Sequence, residues 1–315
     1  MYEFHYDGYT PEQCANYLRR IGAEADYTGE PTLDNLDMLI SCHQKTVPFE
    51  NLALVMNWGS IDLDPQALYQ KIVLDHRGGF CFELNGAFQL LLKGLGYDAV
   101  GCMARVGLPF LGELTSLDHR GIIVRLNGKS YYCDVGMGGP KADWAVEFDC
   151  QPTAGEITAL ESDGRQTAGE TTAALAESQP DPAKQETVSG DNDQYPDAKI
   201  NIHRQTRHGQ TYWVEDTDEG WKMLKNEGSE SDGSVIIFAP VPMLPMDFEG
   251  NCRYLVDRGN TIFHTERIVN LCLEDGYIDV RNQILKIAAG GRMTRREFEE
   301  KDFSEILKKY FGIIR

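Results

Sequence analysis

Apolar positions recur at helical spacing through the first third of the chain and at strand spacing through much of the remainder. Cys14, Tyr17, Leu18 and Ile21 form one face of a helix. It opens at Thr10, Pro11 and Gln13, which supply a cap, a proline at the first helical position and the far half of a capping box, and it ends at Gly22. A second helix starts near Thr32 and buries Leu36, Leu39 and Ile40. It must stop before Val47 and Pro48, because the residue preceding a proline disfavours helical geometry. TVPFENL, residues 46–52, reads as a connector. Asp64 and Pro65 open a third helix that carries Leu68, Tyr69, Ile72 and Val73 into a break at Arg77, Gly78 and Gly79. Leu84, Phe88, Leu91 and Leu95 define a fourth, closing at Gly96. Short connections make this region a helical bundle.

After Gly96 the period shifts to two. Residues 99–106 read as a strand and 119–136, HRGIIVRLNGKSYYCDVG, as a hairpin whose Asn127 and Gly128 suit a two-residue type I′ turn, where both take positive φ. With Leu126 opposite Lys129, His119 faces Gly136 and Asp134 faces Gly121. His119 and Asp134 then share one face, two residues out of step, with backbones about 7–8 Å apart. A one-residue slip would send one of them to the opposite face.

Further strands are expected at 200–207, 211–215 and 221–224, with a turn at His208 and Gly209. Two more follow at 267–273 and 277–287 around a turn at Asp275 and Gly276. Arg292, Arg295 and Arg296 form a basic cluster that reads as a solvated helix start, and Phe303, Ile306, Leu307, Tyr310 and Phe311 give a closing helix one apolar face. Residues 151–197 depart from any folded pattern: 151–200 hold ten acidic and three basic side chains and one aromatic, Tyr195. That stretch reads as a solvated insertion without a catalytic role.

Composition narrows the function. At 315 residues and 42% hydrophobic the chain can bury a real core. Its net charge of −19 argues against nucleic acid or an anionic membrane as partner, while leaving room for a small anion in a local basic pocket. The first residues lack the basic and apolar regions of a secretory signal, and no run of eighteen apolar residues occurs. Eight cysteines are scattered without metal-ligand spacing, so free thiols in a reducing cytoplasm, and no metal, are expected.

Cys81 falls in the first turn of the fourth helix, where free N–H groups and the positive end of the dipole favour a thiolate. Taken alone, a cysteine between two phenylalanines is more often core. Thiolate catalysis also needs a base and a group that fixes the imidazole tautomer; His119 and Asp134 are the aligned pair, with His76 as second candidate base.

These residues carry a resemblance. RGGFCFELN at 77–85, ARV at 104–106, the histidine of DHRGIIV, the aspartate of CDVGMGG and VPFENL at 47–52 resemble the active-site signatures of the arylamine N-acetyltransferases, most strongly over residues 1–140. The resemblance implies an α+β protein with a cysteine-protease-like core. A helical bundle (1–96) holds the nucleophile, a β-barrel-like domain (97–226, with the insertion at 151–197) holds His and Asp, and a C-terminal α/β lid (227–315) follows. It implies ping-pong transfer of acetyl from acetyl-CoA to an arylamine or arylhydrazine, with Cys81 as nucleophile, His119 as proton relay and Asp134 orienting it. It further implies that Phe49, Val106, Met137 and Gly138 line the acceptor pocket, where Met137 stands in place of a frequent aromatic. A sharper role for the arginine cluster is contact with CoA phosphates. The alternatives are an amide synthase acting on a carrier-bound acyl thioester, a thiol hydrolase or transglutaminase-like enzyme, and a binding module with an inactive triad.

Overall fold

A computed structural model of the chain describes residues 7–108, 113–114, 116–139, 141–148, 203–217, 220–226, 235–259 and 261–314. The acidic segment at 151–197 lies outside them.

Local rules set the helices. Helix α1, Pro11–Arg20, starts on a complete capping box: Thr10 Oγ1 accepts from the Gln13 N–H at 3.3 Å, and Gln13 Oε1 accepts from the Thr10 N–H at 3.0 Å. Helix α2, Leu33–Thr46, is capped by Thr32 and stops at Val47, before Pro48. The stretch after it is more than a connector. Phe49–Glu50 forms β1, which pairs with Ile268–Leu273 near the other end of the chain, and Leu52–Val55 forms the short α3. A local reading cannot see so distant a partner. Helix α4, Pro65–Tyr69, ends in a π turn over Gln70–Leu74.

Helix α5, Cys81–Gly94, is buried on every side from Cys81 to Leu92, and Gly96 beyond it takes φ +90°. A helix wrapped all round must run through the core. Tyr17, Leu36, Leu39, Phe80, Phe88 and Leu91 pack there in one apolar cluster with Phe248 and Cys252 from near the C-terminus.

Among the described residues the strands form two sheets. The first contains β2 (Asp98–Leu108), β3 (Glu113–Leu114), β4 (His119–Leu126), β5 (Lys129–Cys133), β6 (Val146–Phe148), β7 (His203–Arg207), β8 (Gln210–Asp216), β9 (Lys222–Asn226) and β10 (Val235–Phe238). Its order is β6-β5-β4-β2-β10-β9-β8-β7, with β3 beside β2. This sheet takes a strand from beyond residue 226. It curls into a nearly closed barrel, and Gln205 bridges its ends: the side-chain amide accepts from the Glu147 N–H at 3.0 Å and donates to the Glu147 carbonyl at 2.8 Å. Tyr132, Met137, Trp144, Phe148, Tyr212 and Phe238 are among the residues that fill the interior.

The turn between β4 and β5 is the one the sequence predicts, with φ of 53° at Asn127 and 76° at Gly128, and Leu126 pairs with Lys129. The ladder runs down to Ile122 and Cys133.

Helix α6, Pro245–Asp257, and the short α7, Ile262–Thr265, lead into the second sheet, β11 (Ile268–Leu273), β12 (Gly276–Arg281), β13 (Ile284–Ala289) and β14 (Arg292–Glu297), in the order β1-β11-β12-β13-β14. The predicted strand at 277–287 is two strands, broken where Asn282 turns at φ 53°. The arginine cluster lies on the edge strand β14, not at a helix start, because Gly290 and Gly291, both at positive φ, turn the chain back on itself. Helix α8, Phe303–Phe311, packs Phe303, Ile306, Leu307 and Phe311 on one face of this sheet. Among the described residues no helix is long and apolar enough to cross a membrane.

Candidate active site

The loop before α5 is braced from below. Arg77 donates to Glu50 at 2.6 Å, and Glu83, three residues into α5, accepts from Lys71 at 2.6 Å and from the Phe80 N–H at 3.2 Å. Both carboxylates are buried. Burial pushes Glu83 up, and the Lys71 charge and hydrogen bond work against it. Gly78 and Gly79 have no substitute here: a Cβ on Gly78 would lie 2.0 Å from the Pro48 carbonyl oxygen, and one on Gly79 would meet the Glu83 side chain at 2.8 Å.

Cys81 is thereby held as the first residue of α5, 4% exposed, with its Sγ 3.6 Å from the Asp118 carbonyl oxygen. His119 opens β4 close enough to Cys81 for the thiol to act on its pKa, and its Nε2 is hydrogen-bonded to Asp134 Oδ2 at 2.5 Å. Nδ1 is left for the sulfur. His76 is exposed, in a turn at φ 53°, so His119 is the histidine that meets the thiol.

Asp134 has both oxygens engaged. Oδ2 also accepts from the Tyr132 hydroxyl at 3.1 Å, while Oδ1 accepts from Asn85 Nδ2 at 2.9 Å and the Gly136 N–H at 2.8 Å. The Tyr132 ring occupies the space over Gly121, where a Cβ would lie 2.4 Å from it. Burial raises the Asp134 carboxyl, but the charge and hydrogen bond of His119, with the Asn85 and Gly136 bonds, hold it below the usual carboxylate range. Burial likewise works to lower His119. The charge and hydrogen bond of Asp134, then those of Cys81, outweigh it and hold the imidazole well above its usual range. The two shifts agree on a buried ion pair, aimed by a fixed carboxylate at a sulfur.

Two residues that sequence reasoning missed hold this arrangement together. Asn85 donates to the Arg120 carbonyl at 2.5 Å as well as to Asp134, and its Oδ1 accepts from the Val135 N–H at 2.8 Å. Gln44 of α2 donates to the Asp134 carbonyl at 2.9 Å and the Ala142 carbonyl at 2.8 Å. Asn85 had a signal. Cys81, Asn85 and Gln89 stand four apart and mark one polar stripe on an otherwise apolar helix, the stripe that meets β4. Gln44 had none, since its partners come from a distant loop.

Of the four expected pocket residues, Phe49 and Gly138 meet: a Cβ on Gly138 would lie 2.8 Å from the Phe49 ring. Gly136 touches the Cys81 backbone, where a Cβ would fall 2.8 Å from the Cys81 Cα. Between them, Met137 is nearly buried with Tyr132, Trp144 and Tyr212 in the barrel. Val106, on β2 opposite Ile236, is half-buried against the same cluster.

The residues that build this site lie mostly within a match to the N-acetyltransferase family model over residues 32–174. The chain is 40% identical over 139 residues to an arylamine N-acetyltransferase of Mycobacterium bovis, covering 42% of this chain and 49% of that one. It is 37% identical over 111 residues to an arylamine N-acetyltransferase / N-hydroxyarylamine O-acetyltransferase of Salmonella typhimurium, covering 35% and 39%. The chain thus spans less than half the length of these curated relatives. Its fold matches the structure of Mycobacterium marinum arylamine N-acetyltransferase in complex with CoA with a TM-score of 0.71 at 21% identity, over 95% of this chain and 92% of that one. Over the stretch that holds Cys81, His119 and Asp134 the sequence is similar to arylamine N-acetyltransferases, and the chain shares their fold over nearly its whole length.

Proposed function

We propose that this protein transfers an acetyl group from acetyl-CoA to the nitrogen of an arylamine or arylhydrazine, in two half-reactions through acetyl-Cys81. The observation that carries the reading is the line Cys81, His119, Asp134, in which the thiol lies close enough to His119 to raise its pKa, His119 is hydrogen-bonded to Asp134, and Asp134 is fixed by four donors. The relatives' names supply the donor and acceptor classes.

In the first half-reaction the Cys81 sulfur attacks the thioester carbonyl. His119 takes the Cys81 thiol proton as the new bond to the acetyl carbon forms, the bond to the CoA sulfur breaks, and His119 passes that proton to the departing CoA thiolate. In the second, the acceptor nitrogen attacks acetyl-Cys81. His119 takes the N–H proton as the carbon–sulfur bond breaks, and the ion pair is restored. Asp134 stays ionised throughout and holds His119 in one tautomer. One thioester replaces another, so the first step is close to balanced and the intermediate stays reactive toward amines. The buried sulfur keeps water from competing with the acceptor. Phe49, Val106, Met137 and Gly138 line the acceptor pocket in this reading, with the Phe49 ring against Gly138 as its floor.

The test is intact-protein mass. Wild type and Cys81→Ala are incubated with acetyl-CoA, and an aminobenzoate is then added. One acetyl adduct is expected, confined to wild type and discharged by the amine. An adduct on Cys81→Ala, or one that the amine leaves in place, refutes the mechanism. No adduct on a wild-type protein whose Cys81 still alkylates rapidly shifts the donor to a carrier-bound acyl thioester and the activity to an amide synthase.

A further inference from the structure

Strand register puts the base on the inner wall of the barrel. His119 pairs with Ala104 and Gly121 with Cys102 between β4 and β2, and Ile123 pairs with Tyr132 between β4 and β5. Directly paired residues point to the same face. His119, Gly121, Ile123 and Tyr132 therefore share the face whose apolar filling includes Cys102, Ala104, Ile123 and Tyr132. In that file Gly121 stands between His119 and Ile123 without a side chain, and the Tyr132 ring takes the space: a Cβ on Gly121 would lie 2.4 Å from a ring carbon and 2.6 Å from the hydroxyl oxygen. The ring also stacks on Phe238 of β10, with centroids 4.4 Å apart and planes at 29°, and both rings are fully buried. This packing aims the hydroxyl at Asp134 Oδ2, 3.1 Å away, the same oxygen that holds His119 Nε2.

A carboxylate oxygen that accepts from a second donor holds the first less tightly, because part of its charge is already offset. Burial and the Asp134 charge push the Tyr132 hydroxyl well up, so it stays protonated and keeps donating. The other titratable groups around the pair are the thiols of Cys81 on α5, Cys102 on β2, Cys133 on β5 and Cys252 on α6, and the Lys141 amine, which lines a small cavity with Asp134 and donates to the Met137 carbonyl at 2.8 Å. Burial pushes Cys102, Cys133 and Cys252 up, so these three stay neutral. Arg120 turns away, onto Gln89 and the Phe248 ring.

We infer that Tyr132 is a positioning residue for the reaction: its hydroxyl shares the Asp134 oxygen that holds His119 and so limits how tightly the imidazolium keeps its proton, and Gly121 is the residue that makes room for it. The inference rests on the acyl-transfer reading for its purpose, since an imidazolium held too firmly is a poor acid toward the departing CoA thiolate.

The test is the pH profile of Cys81 alkylation by iodoacetamide, read by intact mass. The rate rises as thiol and imidazole form a charged pair and changes again where the imidazolium loses its proton. In Tyr132→Phe, which keeps the ring and its packing, that upper inflection should move up by about half a pH unit or more. Gly121→Ala should move it in the same direction by driving the ring off Asp134. Tyr212→Phe, another buried tyrosine of the barrel interior, should leave it in place. A folded Tyr132→Phe with the wild-type inflection, or an equal shift in Tyr212→Phe, overturns the inference. Alkylation needs no acyl donor, so a protein that shows the shift in Tyr132→Phe but forms no acetyl adduct loses the acyl-transfer reading and keeps this role for Tyr132.

Discussion

Asn85 is the residue on which the geometry of the site turns, and replacing it with alanine tests that directly. The substitution removes a bond to the Asp134 carboxylate, a bond to the Arg120 carbonyl and the acceptor for the Val135 N–H, all fully buried. A buried bond to a charged group contributes about 1.5–3 kcal/mol and a neutral one about 1, so the loss is roughly 3–5 kcal/mol. Against a total of about 5–15 kcal/mol the variant should fold, with a clearly lower urea midpoint. Asp134 also loses one of the donors that lower its pKa, and the imidazole loses a fixed partner. Alkylation of Cys81 by iodoacetamide, followed by intact mass under conditions where the variant is folded, should slow by about 10-fold or more. A variant within about 1 kcal/mol of wild type, with an unchanged alkylation rate, refutes the view that Asn85 ties the nucleophile helix to the base.

The buried ion pair sets a pH window. Asp134, lowered on folding, stabilises above its unfolded value of about 3.9 and loses that contribution as pH falls through the folded value. His119, raised on folding, stabilises below about 6.5 and loses its contribution as pH rises through the folded value. The difference in urea stability between wild type and Asp134→Asn should therefore be largest from about pH 4 to 6.5 and shrink on either side; a difference that is flat from pH 3 to 9 contradicts the pairing. Gly136→Ala should abolish acetyl-adduct formation, because its Cβ falls 2.8 Å from the Cys81 Cα, where backbone and not a flexible side chain must move; wild-type adduct formation contradicts the close approach. Lys71→Met should cost about 3–5 kcal/mol at pH 7 by leaving the buried Glu83 without its cation, and Lys71→Met with Glu83→Gln should recover much of that. Urea melts of the single and double variants decide it, and a single variant as stable as wild type removes the pairing argument.

Much of the site was legible because it depends on short-range rules. A capping box needs four consecutive residues, a type I′ turn needs Asn127 and Gly128 at positive φ, and alternation across that turn predicts His119 and Asp134 on one face, although the observed ladder ends at Ile122 and Cys133, short of both. The start of α5, and hence Cys81 in its first turn, follows from Gly78 and Gly79 in the same local way. The single strand expected at 277–287 and the helix start expected at Arg292 failed because a positive φ at Asn282 and at Gly290 and Gly291 is permitted by those residues but not demanded by them.

The sequence by itself thus determined helices α1, α2, α4, α5 and α8, the turn and register of the β4–β5 hairpin, and which residue types lie within reach of one another along the chain. The tertiary structure decided what those residues touch. Only packing brings Gln44 and Asn85 to Asp134 and pairs Phe49 with Asn270. The physical reason is range. Turn geometry, capping and side-chain period act over a few residues, whereas the desolvation that makes a buried carboxylate seek every available donor acts on whatever the fold places beside it.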